Sequence, residues 1–359
     1  MSSDTDLLDF NKPVAHLAAA MIDVPSVSGE ESVLADGIED ILQKAGHLEV
    51  LRHQNTVVAR TQLARSSRVV WAGHLDTVPI NDNVPHSIDG DYLVGRGSVD
   101  MKAGVAIGLK LAMEISQPRH DMTWIFYDNE EVEAAKNGLG LLGAAHPDWV
   151  AGDFAIVGEP SHGVIEGGCN GTLRCEVSSI GKRAHSARAW MGTNAIHGVE
   201  GILSVLNAYE PETVMVDGLG YREGLNAVGI NGGVAGNVIP DHCAVTINYR
   251  FAPSSSIEEA TAHVRELFVG YDFRVVDAAP GAMPGVESVI GRDFVSSLGV
   301  EVKPKFGWTD VARFSQWGIP AVNFGPGDPS LAHADDERVE ISSIDAVYDA
   351  MKRWLDSPS

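Results

Sequence analysis

Apolar positions along the chain fall into two periods that alternate from the start. Spacing of three and four predicts amphipathic helices over 14–21, 32–44, 103–115 and 132–142. Between them lie short continuous apolar runs of strand type at 68–72, 122–127 and 153–157. Alternating strand and helix signals imply β-α units around a largely parallel sheet. Near residue 167 the character changes. Positions 173–180 alternate like a half-exposed strand, 194–209 and 257–267 have helical spacing, and 243–251 reads as a strand, with Gly-rich hairpin text between. After the Pro- and Gly-rich stretch 280–285 the first style returns, with a strand at 319–324 and a closing helix at 341–355.

The fold class implied is α/β. A larger domain, 1–171 and 286–359, carries a mostly parallel sheet flanked by helices. A smaller α+β domain, 172–285, is inserted into it, with an antiparallel sheet and two helices. A chain of 359 residues is ample for a sizeable core of this kind.

Composition narrows the partners. With 26 Lys+Arg against 49 Asp+Glu the net charge is −23, and no basic stripe is present, which argues against nucleic acid or an anionic membrane. Cys169, Cys175 and Cys243 show no C-x-x-C spacing, so neither a disulfide framework nor a thiolate zinc site is suggested. Residues 1–10 are acidic where a signal peptide would be basic and then apolar. Lys110 interrupts the longest apolar stretch, which falls short of the ~20 residues of a membrane helix. A reduced, cytoplasmic protein is expected.

Candidate chemistry gathers just past the predicted strands, where open α/β sheets bind ligands. His74 follows the 68–72 run, with Asp76 two residues on; imidazole is a good zinc ligand and a nearby carboxylate can orient its ring. On its own this pair is more often a loop histidine beside a turn-forming aspartate. Asp100 precedes a predicted helix and alone would be an N-cap. Gly95 and Gly97 do not make a dinucleotide loop: no third glycine arrives in register, and an acid stands where the pyrophosphate would approach. Glu130 and Glu131 follow the 122–127 run and open the predicted 132–142 helix. They either complement the helix dipole or divide the work, one binding metal and the other serving as general base. Glu159 follows the 153–157 run, and His333 follows 319–324 through a Gly-Pro-rich loop. Each signal is weak singly. Together, two histidines and at least three carboxylates without cysteine suit two zinc ions sharing a bridging carboxylate, whereas a mononuclear site needs only three protein ligands.

These residues, in this order, resemble the motifs of the dizinc amidohydrolases, the family of aminoacylases, acetylornithine deacetylase, glutamate-type carboxypeptidases and succinyl-diaminopimelate desuccinylase. The motifs are Gly73-His74-Leu75-Asp76, Gly95-Arg96-Gly97 with Asp100-Met101-Lys102, the Glu130-Glu131 pair, Gly158-Glu159-Pro160 and the late His333. By that resemblance the larger domain is catalytic and holds two Zn²⁺, one of them replaceable by Co²⁺. His74 and Glu159 bind one ion, Glu131 and His333 the other, and Asp100 bridges; Asp76 orients His74, and Glu130 is the general base. Asn129 stands where an aspartate is usual and Asp336 where asparagine is frequent, and neither change removes a ligand. In the inserted domain the segment around His185 resembles the one whose histidine reaches a partner subunit's site, which implies a homodimer formed through a dimerisation or lid domain. Stretches around Tyr221 and Phe306 look most like the succinyl-diaminopimelate desuccinylase branch, which implies an N-acyl amino diacid as substrate and N-succinyl-LL-2,6-diaminopimelate in particular. The alternative is N-acetylornithine or another N-acyl amino acid of the same family. For the substrate's carboxylates Arg250, Asn237, Thr309, Arg174, Arg188 and Arg313 are the candidates. Arg174 and Arg313 read equally well as surface ion pairs. Trp308 and Thr309 replace part of a Gly-Thr-Ser segment common in relatives, which alters the pocket.

Overall fold

The computed structural model describes residues 8–357. The acidic stretch 1–7 and residues 358–359 lie outside the described residues. Two compact units divide the chain. The larger runs through Gly167 and resumes over Pro284–Lys303 and from Thr309; the smaller comprises Gly168–Met283 and Pro304–Trp308.

The larger unit is built on an eight-stranded sheet in the order Glu49–His53, Thr56–Arg60, Asp121–Tyr127, Arg68–His74, Phe154–Val157, Ala321–Asn323, Ile165–Gly167, Val302–Pro304. Its four central strands, Asp121–Tyr127 to Ala321–Asn323, are mutually parallel. Glu49–His53 with Thr56–Arg60, Thr56–Arg60 with Asp121–Tyr127, and Ala321–Asn323 with Ile165–Gly167 are antiparallel, so the sheet is parallel at its centre and mixed toward its edges. Central parallel strands are covered on both faces, which is why 122–127 and 153–157 are unbroken apolar runs. Helices Val14–Ile22, Ala103–Glu114 and Ile341–Asp356 join the sheet in one core that includes Leu17, Trp71, Ile107, Phe126, Val347 and Trp354.

Two predicted helices differ. The one placed at 132–142 begins only at Gly138, where the Asn137 side chain accepts the Gly140 N–H as N-cap. Ahead of it, the buried carboxylates of Glu31 and Asp76 accept the backbone N–H groups of residues 129–131. The 194–209 helix is two, Ala195–Gly198 and Glu200–Ala208, separated at Val199.

The smaller unit carries an antiparallel sheet in the order Gly224–Gly232, His242–Phe251, Gly171–Ile180, Asp272–Ala279. Leu173, Cys175, Val177, Val245, Ile247 and Phe251 from its strands share a core with Ile202, Val264 and Phe268. Helix Ile257–Leu267 starts with a reciprocal capping box between Ser256 and Glu259. All three cysteines are free and buried. Among the described residues no helix is long and apolar enough to cross a membrane.

One helix position sets how closely the larger unit packs beneath its site. A Cβ on Gly104 would lie 2.1 Å from the Gly158 carbonyl oxygen, one residue before Glu159. Gly104→Ala is therefore expected to lower stability by about 1–3 kcal/mol in urea unfolding. Gly46→Ala, whose Cβ would meet nothing within 4 Å, should stay within about 0.5 kcal/mol of wild type. Equal midpoints for the two variants would contradict the packing account.

Candidate metal centre

The parallel centre of the sheet collects the site. His74 ends the Arg68–His74 strand, and Glu130 and Glu131 follow Asp121–Tyr127. Glu159 follows Phe154–Val157, and His333 lies beyond Ala321–Asn323. Asp100 sits in the irregular turn Ser98–Lys102, where it and Met101 leave helical geometry, and the Asp100–Met101 peptide is cis.

Asp100 stands between the two histidines. One carboxylate oxygen is 3.0 Å from His74 Nε2 and the other 3.3 Å from His333 Nε2. His333 Nε2 is also 2.9 Å from Glu131 Oε1, and His74 Nε2 is 3.9 Å from Glu159 Oε1. Ligand atoms of His74, Asp100 and Glu131 all fall within 4.8 Å of one another.

His74 Nδ1 lies 3.0 Å from the backbone carbonyl of Asp76, to which it donates, and farther from the Asp76 carboxylate at 3.6 Å. A neutral ring with its proton on Nδ1 turns the Nε2 lone pair toward Asp100 and Glu159. That is the posture of an imidazole sharing a cation with carboxylates.

The Asp76 carboxylate has a different task. One oxygen accepts the Glu130 N–H at 2.9 Å; the other accepts the Glu131 N–H at 3.1 Å and the Ser28 hydroxyl at 2.7 Å. Glu31 adds a third tie, accepting the Asn129 N–H at 3.2 Å, with Asn129 in the left-handed region at φ 59°. Three consecutive N–H groups are thus held by two buried acids. Neither Ser28 nor Glu31 was singled out by sequence reasoning. Each lies far along the chain from its contact, and only the turn-forming Ser28-Gly29 text hints at them.

Charge is concentrated here. Burial works against a charged His74, but Asp100 and Asp76 outweigh it and raise its pKa well above the usual histidine value. Hydrogen bonds to Asp100 and Glu131 push His333 up to about 10. For Asp100 burial is outweighed by His333 and His74, which hold the carboxyl far below its usual range. Desolvation pushes Glu130 well above the usual carboxyl range, helped by Asp310, Glu159 and Glu131 and opposed by His74. Carboxylates crowded this way are stabilised by positive charge among them. The donor set, two imidazoles and three carboxylates with no thiolate, fits divalent ions. His74 and Glu159 could hold one ion, His333 and Glu131 a second, with Asp100 between.

The remaining candidates are divided between the two units. In the larger unit Thr309 is buried and its hydroxyl donates to Asn323 Oδ1 at 2.8 Å, while Arg313 donates to Asp310. Asp310 also accepts from Asn137, the cap of helix Gly138–Ala145. In the smaller unit Arg174 is exposed and 3.5 Å from Asp277, on the neighbouring strand. Arg188 belongs to the exposed turn Ser186–Met191, and the Asn237 carbonyl accepts the Ser186 N–H. Arg250, on the His242–Phe251 strand, is half-buried, and desolvation lowers its pKa. His185 is exposed, with Nδ1 accepting the Ala187 N–H at 3.0 Å.

Comparison with known proteins bears on this geometry. Residues 70–357 match the model of peptidase family M20/M25/M40. A Mycobacterium tuberculosis protein provisionally named succinyl-diaminopimelate desuccinylase DapE is 50% identical over 352 residues, 97% of this chain and 99% of that one. Succinyl-diaminopimelate desuccinylase of Corynebacterium glutamicum is 45% identical, covering 94% and 95% of the two chains. Among solved structures, a Staphylococcus aureus tripeptidase superposes with a TM-score of 0.76 at 20% identity, over 97% and 98% of the chains. The Bacillus subtilis YXEP protein, described as a dinuclear metal-binding peptidase, gives 0.72 at 16% identity over 96% and 97%. By the match to the family model and the near full-length identity to both bacterial relatives, the chain belongs to peptidase family M20/M25/M40.

Proposed function

We propose that the chain is a cytoplasmic dizinc amidohydrolase that cleaves N-succinyl-LL-2,6-diaminopimelate to succinate and LL-2,6-diaminopimelate. The observation that carries the metal reading is Asp100, whose two oxygens each face a different histidine. The substrate reading is supported by the two relatives at 50% and 45% identity, both named for this desuccinylation.

In this reading His74, Glu159, Asp100, Glu131 and His333 hold the ions. Zn²⁺ held there would supply Lewis-acid chemistry, lowering the pKa of a bound water and polarising the amide carbonyl. Glu130 takes the attacking water's proton as general base and returns it to the leaving nitrogen as the C–N bond breaks, so hydroxyl ends on succinate and hydrogen on the amine. Asp76 keeps Glu130 and Glu131 in place through their backbone N–H groups.

His185 serves as a donor to the oxyanion in the site of a second copy. Because its Nδ1 accepts the Ala187 N–H, the neutral ring carries its proton on Nε2, free to donate outward. Dimerisation through the smaller unit is supported by the Gly224–Gly232 edge strand, where Val228 and Ile230 are 60% and 59% exposed, and by Trp190 at 80%. Arg250 is the first candidate for a substrate carboxylate, since a half-buried guanidinium is stabilised by an anion; Asn237, Thr309, Arg188, Arg174 and Arg313 follow it. The three free thiols are in keeping with a reducing compartment.

Three outcomes test this. Zinc-loaded protein should hydrolyse succinyl-diaminopimelate with a far higher kcat/KM than acetylornithine, lose activity on chelation and regain it with Zn²⁺; preference for acetylornithine would overturn the substrate. Glu130→Gln should lower kcat by about 10²–10⁴-fold while metal content stays at two ions; an unchanged kcat would remove Glu130 as base. Asp76→Asn leaves at least one of three donors without an acceptor, so it should cost about 1–3 kcal/mol in unfolding experiments. It should also depress kcat more than it raises KM, and wild-type values on both counts would contradict the seating role.

A further inference from the structure

Two segments of the larger unit, 95–102 and 333–337, each carry a metal-ligand candidate, and a buried ion pair that the proposed chemistry leaves unused joins them. Arg96 and Glu337 are both buried, with Arg96 Nη1 donating to Glu337 Oε2 at 2.8 Å. The same nitrogen donates at 3.1 Å to the carbonyl of Ala334, next to His333. The other Glu337 oxygen accepts the N–H groups of Val99 at 3.0 Å and Asp100 at 3.1 Å. Main-chain pairing backs this up: the Gly95 N–H donates to the Glu337 carbonyl, and Arg338 pairs with Val94 across the Tyr92–Val94 and Arg338–Glu340 strands.

Local geometry explains why Glu337 is there. Asp100 has φ −120° and ψ 94°, and Met101 φ −133° and ψ 39°, so the turn is not helical at these residues. Buried N–H groups in such a turn need acceptors from elsewhere. A neutral carbonyl could also accept them. Stability is also a poor reason for the charges, because a buried ion pair is often no better than an apolar pair of the same volume. What the pair does achieve is geometric. Through one guanidinium and one carboxylate, the Asp100 backbone and the chain beside His333 are fixed to each other, and Asp100 Oδ2 lies 3.3 Å from His333 Nε2.

We propose that Arg96 and Glu337 are positioning residues that set the spacing of Asp100 and His333, and through it the affinity of the second metal position. The proposal rests on the dizinc reading above and concerns residues that reading does not use.

The test is metal titration of the chelator-treated full chain with Zn²⁺ by calorimetry and with Co²⁺ by visible absorption, on wild type, Arg96→Met and Arg96→Lys. Wild type should take two ions. Arg96→Met should keep the tighter one and bind the other about 10- to 100-fold more weakly, with the matching part of the Co²⁺ spectrum lost at equal metal concentration. Arg96→Lys, which keeps a cationic donor without the guanidinium fork, should recover part of that affinity. For Arg96→Met kcat should rise toward wild type as Zn²⁺ is raised until the second position fills, with KM little changed. A folded Arg96→Met that binds both ions as wild type does would overturn the clamp and leave the dizinc reading standing. If Arg96→Met does not fold, Arg96→Lys and Glu337→Gln decide instead: Gln still accepts the two N–H groups but loses the ion pair, and wild-type affinity for the second ion in both variants overturns the proposal. A wild type that takes fewer than two ions would overturn the dizinc reading and the clamp with it.

Discussion

Crowding of like charge is the constraint on which this site depends. Asp100, Glu131 and Glu159 point at two histidines, with Glu130 alongside, and carboxylates at such separations repel one another in a poorly solvated crevice. Loops left to themselves would relieve that repulsion by moving apart. They are held by a second set of acids that face the backbone. Asp76 takes the N–H groups of Glu130 and Glu131, Glu31 takes that of Asn129, and Glu337 takes those of Val99 and Asp100. Hydrogen bonds from N–H to an ionised acceptor are the stronger kind, so each carboxylate acts as a short, rigid tie. Part of the excess of 49 acids over 26 basic residues is thus structural and internal to the site's supports.

How much of this was legible depended on whether the cause was local. The strands at 122–127 and 153–157 announced themselves because both their faces are covered, and the ligand candidates other than Asp100 could be picked out because each follows such a run. The hairpin of Glu49–His53 and Thr56–Arg60 escaped notice: its outer strand is only half-buried, carries Arg52 and His53, and turns at Gln54-Asn55 without glycine. The helix expected over 132–142 had the right apolar spacing. It nonetheless starts only at Gly138, and the chain before it is tied at 129–131 to Asp76, over fifty residues away in sequence, and to Glu31. The same distance hid Ser28, Glu31 and Glu337 as supports. A residue that acts through another segment's backbone leaves no period in its own.

The role of Asp76 shows how a motif can be right in membership and different in detail. Its proximity to His74 suggested a carboxylate–imidazole contact. The ring donates to the Asp76 main-chain carbonyl at 3.0 Å and has the carboxylate at 3.6 Å, while that carboxylate also accepts from the neighbouring loop. One residue therefore orients a histidine with its backbone and a pair of glutamates with its side chain. In the smaller unit, likewise, alternation along 173–180 and 243–251 was enough to indicate an antiparallel sheet. No pattern signalled that Pro304–Trp308 would return to that unit.

Strand order has a consequence for the birth of the protein. Ala321–Asn323 pairs with Phe154–Val157, and the whole of Gly168–Met283 intervenes in the chain. During synthesis the Phe154–Val157 strand therefore emerges with one edge unpaired, and it must wait for more than a hundred residues before its neighbour exists. The intervening segment carries nearly all of its own sheet and core, so it can collapse while the larger sheet is still open. Non-local parallel pairing is slow to form, and the sheet of the larger unit can close only once Ala321–Asn323 has been made. His333 is made later still, so the full set of metal-ligand candidates exists only near the end of synthesis.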